Sequence, residues 1–281
     1  MKYPVKSIGL LLAAGWAASP LHAQLAIDPA IAADAANSGD TAWILTSSAL
    51  VLLMTLPGLA LFYGGLVRSK NFLSVLIQCM AVVGICSVLW IVIGYSLAFG
   101  PVTNGFLGNG FNAMLNNLGN VREATAIPES AFVMFQLTFA VITPALMIGA
   151  WVERARFGWV VAFCGLWLLV VYAPVTHWVW GGGWLSNLGV LDFAGGIVVH
   201  TTAGVSALVV AIMLGKRMGW PKTLMLPHSP ALTVVGAAML WVGWFGFNGG
   251  SALTATDDAS AAIINTHIAA SMAALVWILI E

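Results

Sequence analysis

His200 is the residue best placed to do chemistry, because it stands in an apolar run over 194–215 that holds no other ionisable group. An ionisable side chain in hydrocarbon is expensive, so each one calls for a reason. A low-dielectric site disfavours imidazolium, and a neutral ring offers one donor and one acceptor. Such a ring serves either as an interhelical hydrogen bonder or as a contact for a small solute, and the sequence leaves both open. Asp192 lies eight residues earlier, about 12 Å along a helix axis at 1.5 Å per residue, in Asp192-Phe193-Ala194-Gly195-Gly196. A carboxylate there can accept the orphan N–H groups of a helix start or act electrostatically on a cation.

Aromatic residues form the second constellation. Phe135 and Phe139 are four residues apart and share a helix face; Trp244 and Phe247 are three apart. Trp180 and Ser251 fall at the ends of apolar stretches. Aromatic faces with a hydroxyl at one mouth can hold a small cation by cation–π attraction and a hydrogen bond. Taken singly, each is equally at home in a core or an interfacial belt, as are the tryptophans around Gly181-Gly182-Gly183. His177, His228 and His267 read as partners of neighbouring helices. No two histidines have the i, i+4 spacing of a helical metal site, and neither HExxH nor a Walker A sequence occurs. No metal, cofactor, ATP coupling or enzymatic activity is therefore expected. Cys79, Cys86 and Cys164 lie in apolar runs and read as packing residues.

The elements that must position these residues are membrane helices. The 281 residues are 60% hydrophobic and only 7% charged, too few charges to coat a water-facing surface. With a net charge of zero and no basic cluster beyond short loops, nucleic acid is an unsuitable partner. Lys2 and Lys6 precede an apolar run, Ile8 to Ala18, and a small residue at Ala23, which describes a signal peptide over 1–23. A periplasmic segment over 24–42 and a membrane domain over 43–281 follow. Seven stretches are long enough to cross about 30 Å of hydrocarbon: 43–66, 72–100, 130–151, 157–179, 194–215, 230–250 and 259–280. The 101–129 segment, rich in Gly and Asn, is expected to have no fixed element of its own. Apart from Lys2, Lys6 and Arg122, every Lys and Arg follows the first, third or fifth span: Arg68, Lys70, Arg154, Arg156, Lys216, Arg217 and Lys222. By the positive-inside rule those loops are cytoplasmic and the mature N-terminus lies outside, in the inner (plasma) membrane. Phe62-Tyr63-Gly64-Gly65 and Phe247-Asn248-Gly249-Gly250 end spans of opposite direction, a weak echo of an inverted repeat.

The sequence resembles the ammonium transporter (Amt/Mep/Rh) family, in its bacterial Amt branch. The resemblance rests on Pro57-Gly58-Leu59-Ala60-Leu61-Phe62-Tyr63-Gly64-Gly65-Leu66-Val67-Arg68, Gly94 to Gly100, Val179 to Gly183, Asp192 to His200 and Gly243 to Ser251. It covers essentially the whole chain beyond the signal peptide. It implies an all-α integral membrane protein, a polytopic helical bundle with an inverted repeat, of which this chain carries seven of the usual eleven spans. It also implies an outer ammonium- and methylammonium-recruiting site at Phe139, Trp180 and Ser251, with Phe135 and Asp192 beside it. Phe139 and Phe247 match stacked pore-closing rings, His200 the first of two pore histidines, and Trp244 a tryptophan along the lumen. In such a pore ammonium gives up its proton and crosses as ammonia. The second histidine belongs to a later span, so the sequence reads as a fragment of a longer transporter. An ammonium sensor and a non-conducting chain are the alternatives. A homotrimer in the lipid bilayer and a cytoplasmic P-II regulatory partner are further implications of the resemblance.

Overall fold

The computed structural model describes residues 36–281, so the signal peptide expected over 1–23 and most of the 24–42 segment lie outside the described residues. Seven helices are long and apolar enough to cross a bilayer: Ser38–Leu66, Ser69–Phe99, Glu129–Trp151, Phe157–Asn187, Gly196–Leu214, Pro230–Gly250 and Asp257–Ile280. They are called the first to seventh spans. Four contain a wide π-turn, at Met54–Leu59, Trp90–Gly94, Leu168–Tyr172 and Gly196–Thr201. The turn at Met54–Leu59 holds Pro57, whose missing N–H removes one ordinary helical bond. The first span starts five residues before the expected position 43. Asn37 caps it, its side chain accepting the Asp40 N–H, while the Asn37 N–H reaches Ala126 O at 2.7 Å.

The third span is the centre of the bundle, with 89% of its apolar window buried against 6% for the seventh. It is buried on nearly every side, Phe132, Phe135 and Phe139 on one face and Val133, Leu137 and Val141 on others. The first and sixth spans pack antiparallel at close range. A Cβ added at Gly246 would lie 2.6 Å from Leu50 Cβ, and one at Gly250 would lie 2.6 Å from Ser47 Cβ. At the other end a Cβ on Gly65 would lie 2.6 Å from Ser229 O. Gly65 thus opens the end of the first span to the start of the sixth, and Gly250 opens the end of the sixth to the first, while Gly64 faces Phe72 of the second span.

One end of the bundle is basic. There Glu153, its side chain 1% exposed, accepts from Arg68 Nε at 3.0 Å and Asn71 Nδ2 at 2.6 Å, and pairs with Arg217 at 3.6 Å. This carboxylate ties together the loops after the first, third and fifth spans. Burial pushes it up, but the bonds from Arg68 and Asn71 outweigh burial and hold it below its ordinary 4.5. A depressed carboxylate contributes stability that is present above the unfolded value and lost as pH falls through the folded one. The melting temperature in detergent should therefore fall below pH 4.5, and Glu153→Gln should flatten that dependence while costing about 1–3 kcal/mol at neutral pH.

The opposite end carries the 101–128 loop, which is built rather than free of fixed elements. It holds a 3₁₀ turn at Gly110–Leu115 and two isolated bridges, Val102 with Gly108 and Val121 with Pro128. Ser96 Oγ donates to Asn109 O at 2.7 Å and accepts the Asn112 N–H at 2.9 Å. Glu129 gathers the Tyr95 hydroxyl at 2.6 Å, the Gly119 N–H and Arg122 at 3.6 Å. The Arg122 guanidinium lies 4.6 Å from the Phe132 ring centre. Gly- and Asn-rich composition points to a segment without a fixed element. It did not reveal that buried polar groups of the second and third spans would anchor them.

Candidate functional site

A pocket of about 560 Å³ opens at the long-loop end. Phe135, Phe139, Trp180, Asp192 and Ser251 all border it, so residues from four separate stretches of sequence converge there. Phe135 and Phe139 meet edge to face at 4.9 Å, and Phe139 meets Trp180 edge to face at 6.0 Å. The Ser251 hydroxyl donates to Phe247 O at 2.7 Å, leaving its own oxygen free to accept. Arg122 to Thr125 of the loop supply the remaining rim.

Beneath the pocket the Phe139 and Phe247 rings lie one over the other but tilted, centres 4.4 Å apart and 35° between planes, both nearly fully buried. Below them is a partly open apolar void of about 160 Å³, bordered by Phe247, Trp244, His200, Ile142 and Met54, of which Trp244 and His200 are exposed. The His200 ring is 5.8 Å from that of Phe247. His177, His228 and His267 have hydrogen-bond partners in Ala98 O, Val67 O and Trp241 Nε1. Among the described residues the His200 ring has none. It also borders a groove of about 950 Å³ between the fifth, sixth and seventh spans, together with Trp244, Asn248 and Asp258.

Asp192 positions the histidine. Its Oδ1 accepts the N–H groups of Gly195 and Gly196 at 2.7 and 2.8 Å; Oδ2 accepts those of Ile197 and Val198 at 2.8 and 2.9 Å. All four orphan donors of the helix start are satisfied by one carboxylate. Gly195 permits the geometry with a left-handed φ of 97°, where a side chain would also meet Val199 Cγ2 at 2.6 Å. The fifth span therefore begins at Gly196, and His200 lies only about 6 Å along its axis from that start. Asp192 stands outside the helix, so the 12 Å spacing expected along one axis does not apply. Trp180 Nε1 donates to Asp192 O at 2.7 Å, joining the cap to the aromatic pocket. The carboxylate's commitments favour its capping role. Asp192→Asn would turn an NH₂ toward two N–H donors, so it should fall between wild type and Asp192→Ala in folded yield and melting temperature. The alanine variant should lose about 2 kcal/mol or more. Equal loss in both at normal yield would instead point to the charge.

Gln136 and Phe132 also line the pocket, and sequence reading missed them. They were legible: 132, 135, 136 and 139 form one helical face, and among the described residues Arg122 is the one Lys or Arg away from the basic end.

Fold and site define a polytopic α-helical membrane protein with an aromatic mouth above a histidine-bordered apolar chamber. The chain belongs to the Ammonium Transporter Family, whose family model matches residues 42–281. It is 48% identical to an ammonium transporter of Aquifex aeolicus, over 87% of this chain and 57% of that protein. It is 49% identical to one of Bacillus subtilis, over 86% and 60%. Among solved structures, Mep2 of Candida albicans matches with a TM-score of 0.82 at 39% identity, over 89% of this chain and 56% of that one. A structure described as a sensor Amt protein matches with a TM-score of 0.79 at 31% identity, over 85% and 62%. The chain thus spans a little over half the length of the relatives it matches.

Proposed function

We propose that the protein of which this chain forms part carries ammonium across the membrane, recruiting the cation in the aromatic pocket and conducting it as ammonia past His200. The observation that carries this reading is the order of the parts: an aromatic and hydroxyl-bearing pocket, two stacked phenylalanines, then an apolar void bordered by an unpartnered imidazole. Phe135, Phe139, Trp180 and the Ser251 oxygen receive the cation. Asp192 holds the helix that presents His200. A bare cation in the void would face a large desolvation penalty, whereas neutral ammonia can accept from or donate to the ring. Potassium has no proton to release, which gives selectivity. The basic loops face the cytoplasm, so the pocket opens outward and the mature N-terminus lies outside the inner membrane. Homotrimeric assembly and control by a P-II protein rest on the family resemblance alone.

Uptake of radiolabelled methylammonium should be measured in cells lacking other ammonium transporters, with this chain and with the longer gene product. Saturable uptake by the longer product supports transport. Binding without uptake supports the sensor reading, which the match to a sensor Amt protein also favours. Uptake by the longer product alone makes this chain a non-conducting part.

A further inference from the structure

Among the side chains that border the aromatic pocket, Gln136 alone carries a buried polar atom without a partner: its Oε1 meets no donor among the described residues. Gln136 is 7% exposed and stands on the third span, the centre of the bundle, so its cover comes from this chain's own helices. The other buried polar groups of that span are committed. Thr138 and Thr143 donate to Phe135 O and Phe139 O, both at 2.6 Å, and Glu129 accepts the Tyr95 hydroxyl at 2.6 Å. Gln78, the buried glutamine of the second span, engages both ends of its amide, Oε1 with Trp151 at 3.0 Å and Nε2 with Ser74 at 3.2 Å.

A buried carbonyl without a donor destabilises a fold, and a methionine of the same length would fill the space without that penalty. The pocket supplies a use for it. Residues 132, 136 and 139 share the helical face that lines the pocket, across which Trp180 and Ser251 stand. The last torsion of a glutamine side chain is soft, so the amide can swing its oxygen toward the pocket without moving the helix. Ammonium has four N–H donors and no acceptor. The rings meet its charge and the Ser251 oxygen takes one N–H, which leaves donors over for a second carbonyl-type acceptor.

We propose that Gln136 is a further cation-binding residue of this pocket, its carbonyl accepting an N–H of ammonium or methylammonium. This role rests on the reading of the pocket as the recruiting site, and it makes the pocket select for N–H donors rather than for charge alone.

The test uses the longer gene product, purified in detergent, with binding of radiolabelled methylammonium read by scintillation proximity and unlabelled amines as competitors. Gln136→Met keeps the length of the side chain and removes the amide. It should weaken ammonium and methylammonium binding about tenfold, the worth of one hydrogen bond to a charged group. Tetramethylammonium, which has the charge but no N–H, should bind wild type and variant with the same affinity. The melting temperature should stay level or rise, because an unpaired buried amide is gone. Unchanged methylammonium affinity in Gln136→Met would overturn the proposal and leave the carbonyl to a bound water. Equal weakening of tetramethylammonium, or a lowered melting temperature, would also overturn it, by making the amide a packing group. The expected binding pattern without uptake would uphold Gln136 and defeat the transport reading; no binding by the unaltered protein would overturn both.

Discussion

Replacing His200 with alanine in the longer gene product should lower methylammonium uptake by roughly five- to 150-fold, the factor expected when a desolvated polar solute loses a hydrogen bond worth about 1–3 kcal/mol. The void beneath the stacked phenylalanines is bordered otherwise by Met54, Leu59, Ile142, Leu146, Leu240, Trp244 and Phe247. Without the ring, ammonia would cross that stretch with the Trp244 indole as the remaining polar side-chain group on the void's border. His267→Ala is the control. That ring, on the weakly buried seventh span, is already engaged by Trp241 of the sixth, and its loss should leave uptake within about twofold, as for other surface changes. Unchanged uptake and unchanged rejection of potassium in His200→Ala would remove His200 from the mechanism. Loss of uptake with normal folded yield, normal methylammonium binding and no potassium leak would place the defect in conduction.

The largest stability effect should come from the seam between the first and sixth spans. A Cβ at Gly236 would collide with the Phe62 backbone N and lie 2.7 Å from Gly58 O; one at Gly243 would collide with Met54 and lie 2.6 Å from Leu50 O. Backbone atoms of a packed helix cannot move aside singly, so the whole sixth span must shift. Overpacking of this kind costs about 1–3 kcal/mol for one added group and more for a branched one. Gly236→Val should reduce detergent-solubilised yield severely and lower the melting temperature of what remains, and Gly243→Leu should do the same. Gly84→Ala and Gly204→Ala, where nothing lies within 4 Å, should be neutral or slightly stabilising. A normal melting temperature for Gly236→Val would mean that the two spans do not meet closely. Because Trp244 and Phe247 ride on the sixth span, a partial shift should also impair uptake before it unfolds the protein.

Much of this was legible in the sequence, for a physical reason. In a bilayer every backbone polar group must be satisfied within its own segment, so apolar length alone dictates seven helices and loop charge dictates which ends share a side. His200 announced itself as an ionisable group in hydrocarbon, and Phe135, Phe139, Trp244 and Phe247 by helical spacing. Three matters were decided only by the tertiary structure. The sequence left Asp192 open between capping and acting on a cation; the structure shows both its oxygens taken by four N–H groups, because Gly195 turns the chain back onto it. The 101–128 loop has a fixed form because Ser96 and Glu129, buried polar groups on the two spans that flank it, supply partners for its turns. Phe139 comes to lie on Phe247, 108 positions later, because glycines let the sixth span close on the first. Local chemistry dictated which residues must be helical and which polar groups were out of place. The order of mouth, stacked rings and histidine required the long-range packing that brings those helices together.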